Sequence, residues 1–469
     1  MSQVHFKHSS HTEQVDRLTP NLSVNPAPPR AAEWVRKLRL PSPFLLASGE
    51  FLKRQDIDCA DARVPDGGMR VVLKVILLVL VLGGLPLLGI VMAGQPLDRY
   101  LDFPPRTGYV QHAPFSWTVF IALALLIVAS VAPFVVRMVT SRLTSEASRH
   151  SVGTSWSHQL LEERGALDGR RLASPAFPWW GWLGAALTTL SWALAWNRFA
   201  WFEPLQPFTF TPLWLGYILL VNAWTFRRMG RCLIVDQPRY FFWLFPLSAA
   251  FWWFFEYLNR FVQNWHYIGI QDFTPLEYFL HATVPFSTVL PAVLSTRELL
   301  ASYPLIGAGL EQFRPIRSTN AKTVGWAVLL LSSAGLSGIA LWPSYLFPLV
   351  WVAPLLLITS LQVVAGEETI FSTIAHGNWK SLWLPALAAL VCGFFWEMWN
   401  CMSLAHWEYA IPFVHRFQIF EMPFLGYAGY LPFGLQCLAV AQLFFPEHCR
   451  EIVINRSQRA LDVAPGDGA

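Results

Sequence analysis

The sequence predicts an all-α integral membrane protein of about ten transmembrane helices, arranged as two leading helices followed by two parallel four-helix repeats. Three observations carry that expectation. Only 14% of the 469 residues are charged while 54% are hydrophobic, against about 25% charged in soluble globular chains. Apolar runs near the ~20 residues that cross hydrocarbon recur along the chain. And one combination of aromatic, acidic and amide residues is written twice, in FWWFFEYLNRFVQNWHY at 251–267 and FFWEMWNCMSLAHWEY at 394–409.

Taken in order, residues 1–68 show no sustained periodicity and several prolines, and read as a flexible cytoplasmic arm. His5, His8 and His11 fall at three-residue spacing, but their polar, proline-rich flanks point to a tail rather than a metal site. Met69-Arg70 followed by VVLKVILLVLVLGGLPLLGIVMA resembles the natural start of a membrane protein, so Met69 is expected as an alternative translation start. Spans are drawn at roughly 71–93, 115–136, 178–197, 209–226, 239–259, 275–296, 324–342, 345–364, 381–400 and 424–445. Glu277, His281, Pro285 and Pro291 interrupt the sixth. The expected divisions are the arm 1–68, a two-helix region 69–170 ending in a charged cytoplasmic segment, repeat one at 171–312, repeat two at 313–446 and a cytoplasmic tail 447–469.

Arginine and lysine set the orientation. Arg70 and Lys74 precede the first span; Arg137 to Arg171, Arg227 to Arg239 and Arg297 to Lys322 fill alternate connections; Arg450, Arg456 and Arg459 follow the last span. The opposite connections carry fewer. Both termini are therefore expected in the cytoplasm, with the protein in the cell inner membrane. Most of the 23 Trp and 35 Phe fit interfacial aromatic belts. The loop YLDFPPRTGYVQHAPFSW at 100–117 reads as an outer connection with aromatic anchors.

The repeat is regular. Glu256 and Glu397 lie 141 positions apart, 397 less 256, and so do Asn259 and Asn400. Upstream, PLWLGYILL at 212–220 parallels PLVWVAPLLL at 348–357, and Gly181-Trp182 parallels Gly325-Trp326; downstream, Trp265 and Tyr267 answer Trp407 and Tyr409. Glu277 in TPLEYF and Glu421 in FEMPFL follow. Four spans per unit, an even number, give both units one orientation, related by an axis along the membrane normal.

Residues i and i+3 share a helix face, so each Glu should present together with its Asn. Ionisable groups inside spans are costly and tend to mark functional sites. The bland alternative is a helix-end cap at the water boundary. Phe254, Phe255, Phe394, Phe395 and Trp396 flank the acids, and apolar surroundings disfavour the ionised form of a carboxyl, so Glu256 and Glu397 are expected as neutral proton donors. An acid among aromatic faces suits protonation of an alkene, because ring quadrupoles stabilise a nearby cation.

With these residues the chain resembles the heterodimer-type lycopene cyclases, small membrane proteins that cyclise linear carotenoid ends. The likeness rests on Trp252-x-x-x-Glu256, Trp265-x-Tyr267 and Pro275-x-Glu277, and on Glu397, Trp407-x-Tyr409 and Glu421 in the second unit. It covers about a quarter of the chain. Those cyclases pair two adjacent glutamates after the proline, whereas Glu277 is followed by Tyr278, and the second unit places Glu421 before Pro423. The resemblance implies an isoprenoid or lipid substrate, with Glu256, Glu397, Glu277 and Glu421 as candidate acids. Asn259, Asn400, Trp265, Tyr267, Trp407 and Tyr409 are then the candidate binding residues.

The expected partner is membrane lipid or a hydrophobic small molecule, bound in two pseudo-equivalent pockets near the outer leaflet. A transporter or a non-catalytic scaffold locked by its Glu–Asn pairs stands as the alternative, and whether the protein is an enzyme is left open. No cofactor or nucleic acid is expected. Six cysteines without C-x-x-C spacing indicate neither disulfide framework nor zinc site. Walker, Rossmann, prenyl-diphosphate and nucleophile-elbow motifs are absent from the sequence.

Overall fold

The computed structural model describes residues 67–151 and 175–446. The arm 1–66, with its three histidines, most of the charged segment 152–174 and the tail after 446 lie outside the described residues. What is described is mostly helical, with almost no sheet: α1 (Gly67–Met92), α2 (Trp117–Ser151), α3 (Trp179–Trp196), α4 (Phe210–Met229), α5 (Pro238–Val262), α6 (Pro275–Phe286), α7 (Val289–Ala301), α8 (Ala321–Leu341), α9 (Leu349–Val364), α10 (Lys380–Asn400) and α11 (Tyr430–Phe444). All ten expected spans are helical. By length and apolar composition, seven segments of the described residues can cross a membrane: those of α1, α2, α5, α6 with α7, α8, α10, and α11 with its preceding turn. The chain is therefore an all-α, multi-pass membrane protein.

Local chemistry explains the boundaries. α5 begins with Pro238 in its first turn, where the missing N–H is not needed. It ends with Gln263 in the left-handed region at φ 51°, its N–H bonded to Asn259 O. Gly230, at φ 69°, closes α4 in the same way. The sixth expected span is two helices end to end, because Pro285 and Pro291 interrupt the backbone ladder on either side of Ser287-Thr288. Glu277 starts the first of them in a capping box with Thr274.

Lipid supplies little hydrophobic drive for joining helices, so close approach of small residues matters. α3 and α4 meet through Gly184 and Gly216, where a Cβ on either would stand 2.9 Å from the other's carbonyl oxygen. On α11, a Cβ at Gly434 would stand 2.0 Å from Pro385 O of α10. α8 packs on α9 and α10 on α11, while α7 touches α4, α5, α10 and α11 and so sits at the centre. Aromatic packing crosses between the halves reciprocally. Trp214 of α4 lies 4.9 Å from Trp396 of α10, and Trp351 of α9 stacks on Phe255 of α5 at 5.1 Å and 22°. Phe255 and Trp396 are again 141 positions apart, 396 less 255.

Two short strands follow α5 and α10: β1 (Trp265–Ile268) and β2 (His406–Tyr409). They pair antiparallel with Trp265 opposite Tyr409, His266 opposite Glu408 and Tyr267 opposite Trp407. Each Trp thus faces the Tyr that corresponds to its own neighbour, the pattern a two-fold axis produces. A second hairpin, β3 (Gln418–Ile419) and β4 (Met422–Pro423), turns at Phe420 and Glu421.

Candidate functional site

Because side chains directly opposite in an antiparallel pair share one face, and i and i+2 do too, Trp265, Tyr267, Trp407 and Tyr409 form a single aromatic plate. Two buried amides hold it. Asn259 donates from Nδ2 to Trp265 O at 2.7 Å and accepts at Oδ1 from Asn264 N (2.8 Å) and Trp265 N (3.3 Å). Asn400 does the same for Trp407, donating to its carbonyl at 2.6 Å and accepting from its N–H at 2.8 Å. The asparagines are completely buried and fasten the helix ends to the strands. Their polar atoms serve that backbone, and Asn259 Nδ2 also donates to Thr107 Oγ1.

The acids stand behind the plate. Glu256 Oε1 accepts from Tyr267 Oη at 2.5 Å, Trp252 Nε1 at 3.0 Å and Trp265 Nε1 at 3.1 Å. Glu397 Oε1 accepts from Tyr430 Oη at 2.6 Å and Tyr409 Oη at 2.8 Å, and Trp407 Nε1 donates to Tyr409 Oη at 2.9 Å. Glu397 Oε2 is buried with no hydrogen-bond partner. Burial, and then the neighbouring carboxyl charge, push the Tyr267 and Tyr409 phenols well above their ordinary value, so both remain hydroxyl donors.

In front of the plate lies one cavity of about 560 Å³, and both halves line it: Trp265, Tyr267 and Trp252 from the first, Trp351, Trp396, Trp407, Tyr409 and Tyr430 from the second. The two separate pockets expected from the sequence are thus joined into a shared one. The volume falls in the range of small-molecule sites. Its lining holds neither Glu256, Glu397, Asn259 nor Asn400, which are positioned one layer back. Glu277 is exposed, and its Oε2 accepts from Thr274 N and Oγ1, both at 2.8 Å; it serves the helix start and is not part of the lining. Glu421 is half-buried at the β3–β4 turn and is not part of it either.

The sequence reading passed over three contributors. Tyr430 was inside an apolar run, yet LP at 290–291 and LP at 431–432 extend the repeat to it, opposite Val289. Trp351 was noted only as part of a parallel stretch. The third is the loop 100–117, read as an ordinary connection. Thr107 Oγ1 donates to Trp265 O at 2.9 Å, His112 Nε2 lies 3.1 Å from Gln263 O, and Ser116 N donates to Phe413 O at 2.9 Å. The loop therefore spans the strand ends of both halves. Among the described residues, no group of three or more His, Cys, Asp or Glu side chains is placed to hold a metal ion.

Fold and site together define a multi-pass membrane protein with an aromatic-walled cavity. No family model matches the chain, and neither a curated protein nor a solved structure matches it.

Proposed function

We propose that the protein binds an elongated apolar molecule, an isoprenoid or other membrane lipid, in the cavity shared by two four-helix repeats. The observation that carries this reading is the cavity itself: aromatic and aliphatic on nearly every side, with a few phenol and indole groups held at fixed angles by two buried carboxyls. The reciprocal strand pairing supports two parallel repeats in a ten-span arrangement. The arginine distribution supports an inner-membrane location with both termini in the cytoplasm.

Acid chemistry on that ligand is the catalytic form of the proposal. In that form a protonated Glu256 or Glu397 carboxyl gives its proton to an alkene carbon and, as carboxylate, takes one back from the cyclised cation; Tyr267 and Tyr409, whose hydroxyls donate to those carboxyls, must swing aside to admit the ligand. The resulting cation faces Trp265, Trp351 and Trp407. A second reading, a transporter or scaffold, is favoured by one observation: Asn259, Asn400 and both acids all fix the strands that join the halves.

The test is co-purification in native-lipid discs, comparing the unaltered protein with the Glu256→Gln/Glu397→Gln double variant. Enrichment of a specific isoprenoid or lipid in the unaltered protein, reduced in a folded variant, is expected. Identical bulk lipid in both would move the assignment to the scaffold reading.

A further inference from the structure

The cavity lining carries no fixed positive charge; it also holds Tyr278, whose Oη has no hydrogen-bond partner and whose ring lies 5.1 Å from the Arg106 guanidinium. The donors nearest the two acids are already committed: Trp252, Trp265 and Tyr267 to Glu256, Tyr409 and Tyr430 to Glu397, and Trp407 to Tyr409 Oη. What those groups leave over is acceptor capacity, on phenol oxygens that line the cavity and on Glu397 Oε2 just behind it. No arginine or lysine is in the lining; its basic side chains are His281, set between the rings of Phe208 and Phe273, and His406, whose Nε2 lies 3.6 Å from Glu408 Oε1. An acidic head would therefore enter without a fixed cation to meet it, and burying an uncompensated charge is expensive. A cation meets the reverse: the indoles of Trp265 and Trp407, whose ring faces carry negative potential, with two carboxyls behind them, while Trp351 and Trp396 stack on Phe255 and Tyr430.

Building on the apolar-ligand reading above, we propose that the cavity selects long-chain amphiphiles whose polar end is an amine or ammonium group and turns away acidic lipids. The aromatic walls would bind the head by cation–π attraction while the chain follows the apolar side formed by Leu123, Leu126 and Val284. Leu126 and Val284 are largely exposed, so that side is where the cavity reaches the protein surface between α2 and α6.

The experiment uses the full chain in lipid nanodiscs with three photoreactive probes of one chain length: a diazirine-bearing octadecylamine, octadecanol and octadecanoic acid. Cross-linked peptides are mapped by mass spectrometry. The expected result is labelling of the β1, β2 and α9 segments by the amine about tenfold above the acid, with the alcohol between, a ratio equivalent to about 1.4 kcal/mol. Glu256→Gln/Glu397→Gln, which keeps shape but removes both acidic groups, should reduce the amine's advantage. Labelling of those segments by the acid or alcohol as strongly as by the amine would overturn the selectivity while leaving apolar binding intact. Labelling confined to the outward faces of the helices with all three probes would overturn the apolar-ligand reading itself, and the selectivity with it.

Discussion

Glu256 takes a hydrogen bond from Trp252, one turn earlier on its own helix. Glu397 has Gly393 at that place and takes its bond from Tyr430, on the facing helix, where the first half has Val289. The exchange is steric as well as chemical. A Cβ at Gly393 would lie 2.3 Å from the Tyr430 ring, so the ring occupies the volume that a side chain at 393 would need. Gly393→Ala is expected to destabilise by about 1–3 kcal/mol through overpacking. Replacing the pair with its counterpart, Gly393→Trp with Tyr430→Val, should melt higher than either single change, because only the double variant restores both space and a donor. Thermal unfolding in detergent or nanodiscs reads this directly; purely additive losses would show that the two positions do not complement each other.

At the scale of elements, the loop 100–117 acts as a strap over the plate. Its hold on the first half runs through Thr107, which donates to Trp265 O and accepts from Asn259 Nδ2 at 3.2 Å. Arg106 Nη2 donates to Phe273 O at 2.6 Å. On the second half, Arg416 lies 5.1 Å from the Phe115 ring and 5.7 Å from the Trp117 ring. Thr107→Val keeps the shape and removes the hydroxyl, which should cost about 1 kcal/mol. Its signature is faster amide hydrogen exchange confined to Trp265–Ile268, since local opening tracks the bonds that tie a segment down. Unchanged exchange in that strand would show that Asn259 alone secures it.

For the whole molecule, the decisive feature is that each half completes the other. Trp214 and Trp351 reach across to Trp396 and Phe255, and β1 pairs with β2. Neither plate nor cavity exists within one half. Cysteines at Ile268 and His406, which stand opposite each other, fall within the Cα separation that a disulfide spans. Under oxidation, Ile268→Cys/His406→Cys should keep the halves linked after cleavage at a protease site inserted between Gln312 and Asn320. Separation of the halves under those conditions would contradict the pairing.

What the residues alone determined was the class and the placement of the acids. Scarce charge and repeated apolar runs leave membrane helices as the outcome that satisfies every backbone group in lipid, and a spacing of 141 residues marks Glu256, Asn259, Glu397 and Asn400 as one motif used twice. Periodicity also located the helices, and Pro285 and Pro291 already marked the sixth span as interrupted, where the structure has two helices end to end. Only the tertiary structure decided what the motif does. Strand pairing is a long-range choice that no local pattern records, and it merged two expected pockets into one. It also turned the tyrosines and tryptophans toward the cavity and left the carboxyls and amides behind them. Glu277 is different: its partner Thr274 lies three residues away, and Thr-Pro-Leu-Glu at 274–277 is a local capping-box pattern that the sequence records. Tertiary structure decided only the long-range part, because hydrogen bonds between segments distant in sequence depend on packing that no local pattern sets.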